Sequence, residues 1–584
     1  MQFLLVALNA KYIHSNPALY SLRSFAGENK RYVQIAEYTI NNRMEEILED
    51  IYQRKPDVIG FSCYIWNWDM IQDIVIELHK LLPEVPIWLG GPEVSFDAEE
   101  ILIHYPVLTG IMIGEGEETF AELLQYYVSG QGDVSQIAGL VTKEGRTDYR
   151  NSLLLTQIPF LYDNISDFQN RIIYYESQRG CPFRCSYCLS SIDKSVRFRD
   201  ISVVKEELQF FLDHNVKQVK FVDRTFNCNH EHAMAVWSYI QEHDNSVTNF
   251  HFEIAGDILN DEEIALLHTM RPGLVQLEIG VQSVNSDTLK EIRRVMDIEK
   301  LKQVTASIRE GNNIHQHLDL IAGLPFENYE SFGHSFDEVY AMGPNQLQLG
   351  FLKVLKGSYM HEKAGDYGLK YMDKPPYEVL FTNWLSFAEI RKLKKIEEMV
   401  EIYYNSNQFT NTLRALLRLF KSPFAMFEAL ADYYAQKGYF IETPSRVYRY
   451  QVLSSFAETL DEKRSGLYRE LLTFDMYLRE NLKSRPDFTK DLQPYKRQIS
   501  LFYKMEEVQR FYLQDYDEYD SRQLERMTHL EPFRYSVWSS LKNMPVKEKS
   551  EDADDIHYVL FDYKHRDPLT YEAKVFLIPG EKME

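Results

Sequence analysis

The chain has 584 residues, 45% of them hydrophobic and 26% charged, with a formal net charge of −23. This length exceeds what one hydrophobic core supports and predicts about three domains, and the composition is typical of a soluble globular protein. The negative charge argues against nucleic-acid binding through overall charge. No apolar run is long enough for a membrane span, the first residues lack the basic region of a signal peptide, and five cysteines favour a reducing compartment. We therefore expect a cytoplasmic protein with no membrane association.

Residues 1–150 alternate short apolar runs with segments of helical period. The apolar runs lie at 3–8, 33–36, 57–62, 86–91 and 110–114, and a helical stripe follows the third. This pattern predicts a doubly wound, Rossmann-like parallel sheet with helices on both faces. Glycines fall at the predicted carboxyl ends of strands, where open parallel sheets bind ligands. They indicate either a cofactor site or tight strand-to-helix turns.

Three cysteines, Cys181, Cys185 and Cys188, stand within eight residues just after a predicted strand. Ordinary iron–sulfur sites use four protein ligands, so three thiolates on one loop predict a cluster with one iron left open. A zinc site that borrows a histidine and three unrelated buried thiols are the alternatives, but zinc ribbons usually show a second Cys-x2-Cys knuckle and none exists here. The spacing Cys-x3-Cys-x2-Cys resembles the cluster loop of the radical SAM enzymes. In that family the open iron of a [4Fe-4S] cluster binds the amino and carboxylate groups of S-adenosylmethionine (SAM).

Residues 171–365 contain six strand-like runs, most of them followed by a helical segment such as 203–211, 233–240 or 301–309. The runs lie near 172–177, 218–222, 249–254, 274–280, 314–322 and 346–352. Six repeats fit the (β/α)6 partial TIM barrel of the radical SAM family. Because barrel chemistry lies at the carboxyl ends of strands, the polar residues at those ends are the candidate site.

Several of these polar residues resemble the SAM-binding pattern of the branch that includes the oxygen-independent coproporphyrinogen dehydrogenases. The resemblance implies that Gln282 and Arg294 hold the SAM carboxylate, with Glu253 and Asp319 near the sugar and sulfonium. It further implies SAM contacts for Tyr187, Asp223, Thr225 and Glu278. An arginine fork suits a carboxylate, and Arg293 is a rival for that role. Each residue taken alone also fits a salt-bridged barrel rim.

Three pieces of the first domain, PDVIGFSCYIWN, WLGGPEVS and MIGEGEETF, resemble the cobalamin-binding domain that precedes the barrel in one branch of radical SAM enzymes. The Asp-x-His-x-x-Gly motif that supplies a cobalt ligand is absent, and the surroundings of His14 do not match it, so we expect cobalamin without a histidine beneath the cobalt. Cys63 and Cys228 receive no role. The residues implied in cobalamin binding are Tyr12, Ser62, Tyr64, Trp66, Asn67, Gly90, Gly91, Pro92, Glu93, Gly114, Glu115, Gly116 and Glu117.

Glycine becomes sparse after residue 370, and long helical periods predict a mainly α-helical cap over 370–584. Two apolar runs, at 558–563 and 574–578, predict a terminal strand pair. This region resembles the uncharacterised C-terminal extension of a bacterial subgroup of these enzymes.

The resemblance implies an enzyme that reductively cleaves SAM to a 5′-deoxyadenosyl radical and uses cobalamin to methylate an unactivated carbon. No catalytic residue beyond the cluster and SAM ligands is implied. A cobalamin-dependent radical cyclisation, oxidation or rearrangement is the first alternative, and a non-enzymatic corrinoid or iron–sulfur carrier or sensor is the second. An electron donor such as flavodoxin or ferredoxin is the expected partner. The substrate is left open among a small molecule, a tetrapyrrole and a peptide, and the acidic net charge disfavours tRNA.

Overall fold

The structure is a computed structural model that describes residues 1–162, 164–193, 195–542 and 556–579. It has two compact units: Met1–Ser331 with Gly350–Phe387, and Phe332–Leu349 with Ala388–Glu584. None of the helices in the described part combines the length and apolar character needed to cross a bilayer. The division into domains at 1–150, 171–365 and 370–584 stays a prediction, and positions 543–555 and 580–584 of the last range lie outside the described residues.

The first unit opens with a seven-stranded sheet whose first five strands are parallel. Two short antiparallel strands complete one edge. The chain order reverses beside the first strand, and the carboxyl ends of strands at such a switch point form a ligand-binding crevice. In spatial order the strands are Val33–Thr39, Phe3–Asn9, Val58–Ser62, Ile87–Gly90, Gly110–Met112, Leu140–Thr142 and Gly145–Arg146.

Helices cover both faces of this sheet, and each face has its own apolar core. The side chains of Phe3–Asn9 are buried throughout, as expected for a central strand of a doubly wound sheet. The first helix begins with Asn16 as N-cap and a proline in its first turn, a combination that favours helix initiation. The helices are Pro17–Phe25, Met44–Arg54, Trp68–Leu81, Ala98–His104 and Glu117–Ser129.

A second sheet of six strands follows, and its strands lie side by side in chain order. Its central strands alternate between fully buried and partly buried residues, so one face packs under helices and the other lines the barrel interior. The strands are Ile173–Tyr175, Gln218–Phe221, Asn249–Ile254, Val275–Gln282, His315–Ala322 and Gln346–Phe351. The helices that follow them are Ile201–Asp213, His230–Glu242, Asp261–His268, Ser286–Glu291, Ile298–Gly311 and Tyr329–Ala341. A short helix Tyr359–Glu362 and a strand pair, Lys370–Tyr371 with Val379–Phe381, come next.

The rest of the described chain is mainly helical. Its helices are Phe387–Met399, Thr410–Leu417, Pro423–Lys437, Tyr448–Leu460, Ser465–Arg479, Lys496–Gln509 and Ser521–Met527. The predicted terminal strand pair is present as His557–Arg566 with Ala573–Ile578, and an unpredicted strand, Thr528–Phe533, adds to its edge. The predicted α/β architecture, with a Rossmann-like sheet, a partial barrel and a mainly helical C-terminal region, is confirmed.

Candidate active site

The three cysteines lie on a loop that leaves the first barrel strand, Ile173–Tyr175. Arg179, just ahead of this cysteine loop, pairs antiparallel with Arg197 in a short two-stranded ribbon. Gly180 has a φ of +96°, and a Cβ atom there would overlap the carbonyl of Ser195, so glycine is required. All five cysteines of the chain are free thiols. No disulfide therefore ties up the triad, and all three thiols can serve as ligands.

The arrangement of ligating atoms argues against a single-ion site at the cysteine loop. Among the described residues, only Glu278, His317 and Asp319 bring three such atoms within 4.8 Å of one another. The thiolates around a tetrahedral zinc ion lie closer to one another than the sulfur atoms of these three cysteines do. A cubane instead distributes its thiolates over separate irons, so the cysteine loop fits a cluster better than zinc.

Beside the cysteine loop lie Gln282, at the end of the fourth barrel strand, and Arg294, which follows the helix Ser286–Glu291. The Arg294 guanidinium donates to the Gly280 carbonyl, and its Nη1 lies 3.7 Å from the Cys185 thiol. The Gln282 amide packs where a Cβ on Gly280 would stand. Arg294 Nε and Gln282 Oε1 are buried and have no hydrogen-bond partner in the described part of the chain. One orphan donor and one orphan acceptor next to the thiols fit the carboxylate and ammonium of SAM.

Two buried carboxyl groups of the barrel interior, Glu253 and Asp319, have raised pKa values. Burial raises the pKa of Glu253 to about 7, and the neighbouring Glu278 and Asp319 carboxylates oppose the attraction of Arg224. The Asp319 pKa is raised as well, mainly by burial, although His317 lies 3.0 Å away. A cation bound here would favour the ionised form of both carboxyl groups and lower their pKa values. A sulfonium is such a cation, so Glu253 and Asp319 suit the predicted positions near it.

Glu278 is the most fully paired of these carboxylates. Its Oε2 lies 2.9 Å from His251 Nε2 and 3.2 Å from Lys220 Nζ. Burial alone would raise its pKa, but these two partners hold it near 2. Glu278 therefore acts as the counter-ion of Lys220 inside the barrel, and its predicted contact with SAM stays a prediction.

The other predicted SAM residues lie against the cysteine loop, where the protein already uses their polar groups. The fully buried Asp223 carboxyl accepts hydrogen bonds from Ser177 N, Ser177 Oγ and Gln178 N, and burial raises its pKa to about 8. Thr225 Oγ1 lies 3.6 Å from the Cys181 thiol. Tyr187 interacts with the Cys185 thiol. These contacts shape the loop, and direct SAM contacts from the three residues stay predictions.

A cavity of about 800 Å³ lies where the carboxyl ends of the first sheet meet the barrel mouth. Tyr64 and Trp66 stack in its wall with ring centroids 4.4 Å apart and planes within 9° of parallel. Such a flat aromatic surface suits a planar macrocycle. Six residues predicted to bind cobalamin line it: Tyr64, Trp66, Pro92, Gly114, Glu115 and Glu117. The barrel residues that line the cavity include Tyr174, Glu176, Gln178, Arg179, Gly180, Val222 and Arg224.

The remaining seven residues predicted for cobalamin do not line this cavity: Tyr12, Ser62, Asn67, Gly90, Gly91, Glu93 and Gly116. Tyr12 is exposed under the Arg171 guanidinium. Asn67 is buried and donates to the carbonyls of Leu8 and Ser62, and Glu93 accepts from the Tyr377 hydroxyl. The side chains of Asn67 and Glu93 hold the loops around the cavity, so direct contacts with the corrin stay predictions for these seven residues.

His14 lines the same cavity, which makes the predicted absence of a histidine ligand to cobalt testable. Its Nδ1 lies 2.5 Å from the Tyr174 hydroxyl, and burial lowers its pKa. We expect the visible spectrum of bound cobalamin to be the same in His14→Ala as in the unmodified protein. Tyr174→Phe, which removes only the hydrogen-bond partner, is the matched control. A shifted corrin band in His14→Ala alone would identify His14 as a cobalt ligand.

The sequence-based interpretation missed two parts of the cavity wall. Residues 155–162, between the two predicted domains, contribute apolar and aromatic side chains to it, and Arg224 reaches it from the end of the second barrel strand. The run Ile158-Pro-Phe-Leu-Tyr162 is apolar for a connecting segment, and that was an available signal. No sequence pattern indicated that Arg179 and Arg197 pair with Glu117 and Glu115, because those glutamates lie 62 and 82 residues away in the chain.

Three domain families match this chain. The B12 binding domain family matches residues 4–124, the Radical SAM superfamily matches 175–339, and a protein family of unknown function, DUF4080, matches 365–561. The chain is 24% identical over 400 residues to the cobalamin-dependent radical SAM methyltransferase TokK of Streptomyces tokunonensis, covering 61% of this chain and 56% of TokK. It is 24% identical to the anaerobic magnesium-protoporphyrin IX monomethyl ester cyclase of Synechocystis over 46% of this chain and 56% of the cyclase.

The structure of the cobalamin-dependent SAM radical enzyme OxsB, with aqua-cobalamin and SAM bound, shares the fold. It matches with a TM-score of 0.56 and 13% identity over 81% of this chain and 83% of OxsB. The chain spans little more than half the length of TokK and of the cyclase. The domain matches and the shared fold agree with the cysteine loop and the adjoining cavity. The chain therefore combines a B12 binding domain with a radical SAM domain, and its cofactors are a [4Fe-4S] cluster, SAM and cobalamin.

Proposed function

We propose that this protein is a cobalamin-dependent radical SAM methyltransferase that methylates an unactivated carbon. The observation that carries the proposal is the shared cavity. Its wall combines the predicted cobalamin loops of the first sheet with the barrel residues that flank the cysteine loop. When bound, cluster and SAM supply a radical that abstracts hydrogen, and methylcobalamin supplies a methyl group. The radical and the methyl group would both react with a substrate bound in this cavity.

In this proposal the chain's own residues bind and orient. Gln282 and Arg294 hold the SAM carboxylate and ammonium beside the cysteine loop, using the two orphan polar atoms. Glu253 and Asp319 face the sulfonium and ribose. The stacked Tyr64 and Trp66 support the corrin and, with apolar residues of 155–162, keep water from the cavity.

Methyl transfer can be tested without knowing the substrate. The reconstituted, reduced protein is incubated anaerobically with a metabolite extract and SAM whose methyl group carries deuterium. We expect S-adenosylhomocysteine and 5′-deoxyadenosine together, with deuterium in one extract component, all measured by mass spectrometry. A triple Cys181→Ala, Cys185→Ala, Cys188→Ala variant is the control for background labelling. A visible spectrum with cluster bands but no corrin bands would contradict the proposal.

The second candidate is a cobalamin-dependent radical cyclisation, oxidation or rearrangement without methyl transfer, and the similarity to the Synechocystis cyclase favours it. The same incubation separates the two. A product formed with 5′-deoxyadenosine but without S-adenosylhomocysteine or deuterium would support the second candidate and exclude the first.

We further propose flavodoxin or ferredoxin as the electron donor and the cytoplasm as the location. A reducing compartment suits an oxygen-sensitive cluster and five free thiols. For the substrate we retain a small molecule, a tetrapyrrole or a peptide, and the net charge of −23 disfavours tRNA.

A further inference from the structure

Four charged side chains connect the loop Gly114–Glu117 of the first sheet to the two sides of the cysteine loop, and we call them the clamp: Glu115, Glu117, Arg179 and Arg197. Arg179 Nη2 donates to Glu117 Oε1 at 2.8 Å. Arg197 Nη1 donates to Glu115 Oε2 at 3.1 Å, and Arg197 Nη2 bonds the other oxygen of the same carboxylate. Arg179 also lies 3.6 Å from Glu115. The clamp is thus one cross-connected network of two carboxylates and two guanidiniums.

The side chains of the clamp are less exposed and make more hydrogen bonds than those of a typical surface ion pair. The Glu117 and Arg197 side chains are only 7% and 12% exposed. Further hydrogen bonds fix each member: Glu115 accepts from Leu153 N, Glu117 accepts from Ser21 Oγ, and the two arginines also pair with Glu176 and Asp193. Burial would raise the Glu115 pKa, but Arg197 and the Leu153 amide lower it overall. Exposed pairs contribute little because solvent screens them, whereas this fixed, largely buried network resists rearrangement.

Each end of the clamp adjoins a cofactor position. Gly114, Glu115 and Glu117 line the cavity proposed for cobalamin. Arg179 lies two residues before Cys181. Arg197, which pairs with Arg179 in the ribbon, lies after the three cysteines, at the other end of the cysteine loop. Because the clamp connects the two loops, a cofactor that restrained one loop would through it also restrain the other. The second cofactor then has less conformational entropy to remove when it binds.

We propose that the clamp couples the two cofactor sites, so that the cluster on the cysteine loop and cobalamin in the cavity each strengthen binding of the other. The proposal rests on the proposed cobalamin position. Coupling between sites is reciprocal, and typical values correspond to roughly 5- to 150-fold in affinity.

The test compares the Kd of hydroxocobalamin for the full chain with its cluster assembled and after iron is removed by a chelator. Anaerobic absorbance titration measures both values. We expect binding to be at least about fivefold tighter with the cluster present, and this ratio to fall towards one in Glu117→Gln and Arg197→Gln. Arg271→Gln is the matched control, because Arg271 forms a similar bidentate pair with Asp244 on the barrel away from both loops. It should keep the full ratio.

Equal Kd values with and without the cluster in the unmodified protein would overturn the coupling. So would an undiminished ratio in both clamp variants, provided that circular dichroism shows them folded. If neither variant folds, the coupling is tested in the unmodified protein alone. Saturating hydroxocobalamin should then raise the iron content that the protein retains at equilibrium with a chelator. No rise in iron content would overturn the proposal. Absence of hydroxocobalamin binding in either state would overturn the cobalamin site itself and the proposed function with it.

Discussion

Cys185→Ala is expected to abolish the cluster and, with it, reductive cleavage of SAM. Two thiolates cannot hold a cubane that in most proteins needs four ligands, and Cys185 is the triad member that lies beside Arg294. Iron and sulfide content should fall to background, the visible charge-transfer absorption should disappear, and 5′-deoxyadenosine should be undetectable after reduction with SAM.

Cys228→Ala is the matched control for that loss. The Cys228 thiol lies 3.6 Å from Gln178 Oε1 near the cysteine loop, and burial raises its pKa to about 11. Cys228 lies outside the Cys-x3-Cys-x2-Cys loop that supplies the three cluster thiolates, so this variant should keep its cluster and its SAM cleavage. A Cys185→Ala protein that retained the visible absorption and cleaved SAM, or a Cys228→Ala protein that lost both, would contradict the assignment of the triad.

Arg294→Gln is expected to weaken SAM binding without removing the cluster. Loss of one partner from a buried, hydrogen-bonded charge pair costs about 2–5 kcal/mol, which corresponds to roughly 30- to 4,000-fold in Kd. Arg294→Lys keeps the charge but loses the planar fork, so its Kd for SAM should lie between those of the unmodified protein and Arg294→Gln. Equilibrium dialysis with labelled SAM measures the affinities, and iron content checks the cluster, because Arg294 lies 3.7 Å from the Cys185 thiol.

Arg293 provides the control for this prediction, since it is the neighbouring arginine and the rival for the carboxylate. Its guanidinium lies over the Tyr359 ring at 3.7 Å from the centroid, so it is already engaged away from the orphan atoms. Arg293→Gln should therefore leave the Kd of SAM within about twofold, as is usual for a surface change. A larger effect in Arg293→Gln than in Arg294→Gln would reverse the two roles.

Much of the fold could be predicted because its patterns are local. The strands were recognisable from apolar runs and period-two alternation, as in Val275–Gln282, where buried and half-buried residues alternate along the whole strand. Helix starts were less accurate. The helices predicted from 203, 233 and 301 begin at Ile201, His230 and Ile298. Asp200, Asn229 and Asp297 cap them with side-chain hydrogen bonds, and these Asx residues were available signals.

The unpredicted strand Thr528–Phe533 shows why other parts could not be predicted. It contains Pro532, which cannot donate to a sheet and argues against a strand when the sequence is considered alone. In the structure it pairs with His557–Arg566 at the edge of a three-stranded sheet, where a proline is tolerated. Whether a strand lies at an edge depends on residues far away in the chain.

The sequence by itself determined the kind of chemistry at this site. Three thiols on one tight loop, and polar residues at the ends of successive barrel strands, are local patterns whose spacing implies a cluster with an open iron and a charged ligand beside it. Only the tertiary structure decided how the glutamates of the loop Gly114–Glu117 are used. Glu117 and Glu115 meet Arg179 and Arg197 across 62 and 82 residues of chain. The partners of a buried charge are set by long-range packing, so the connection between the two cofactor loops was readable only in the folded protein.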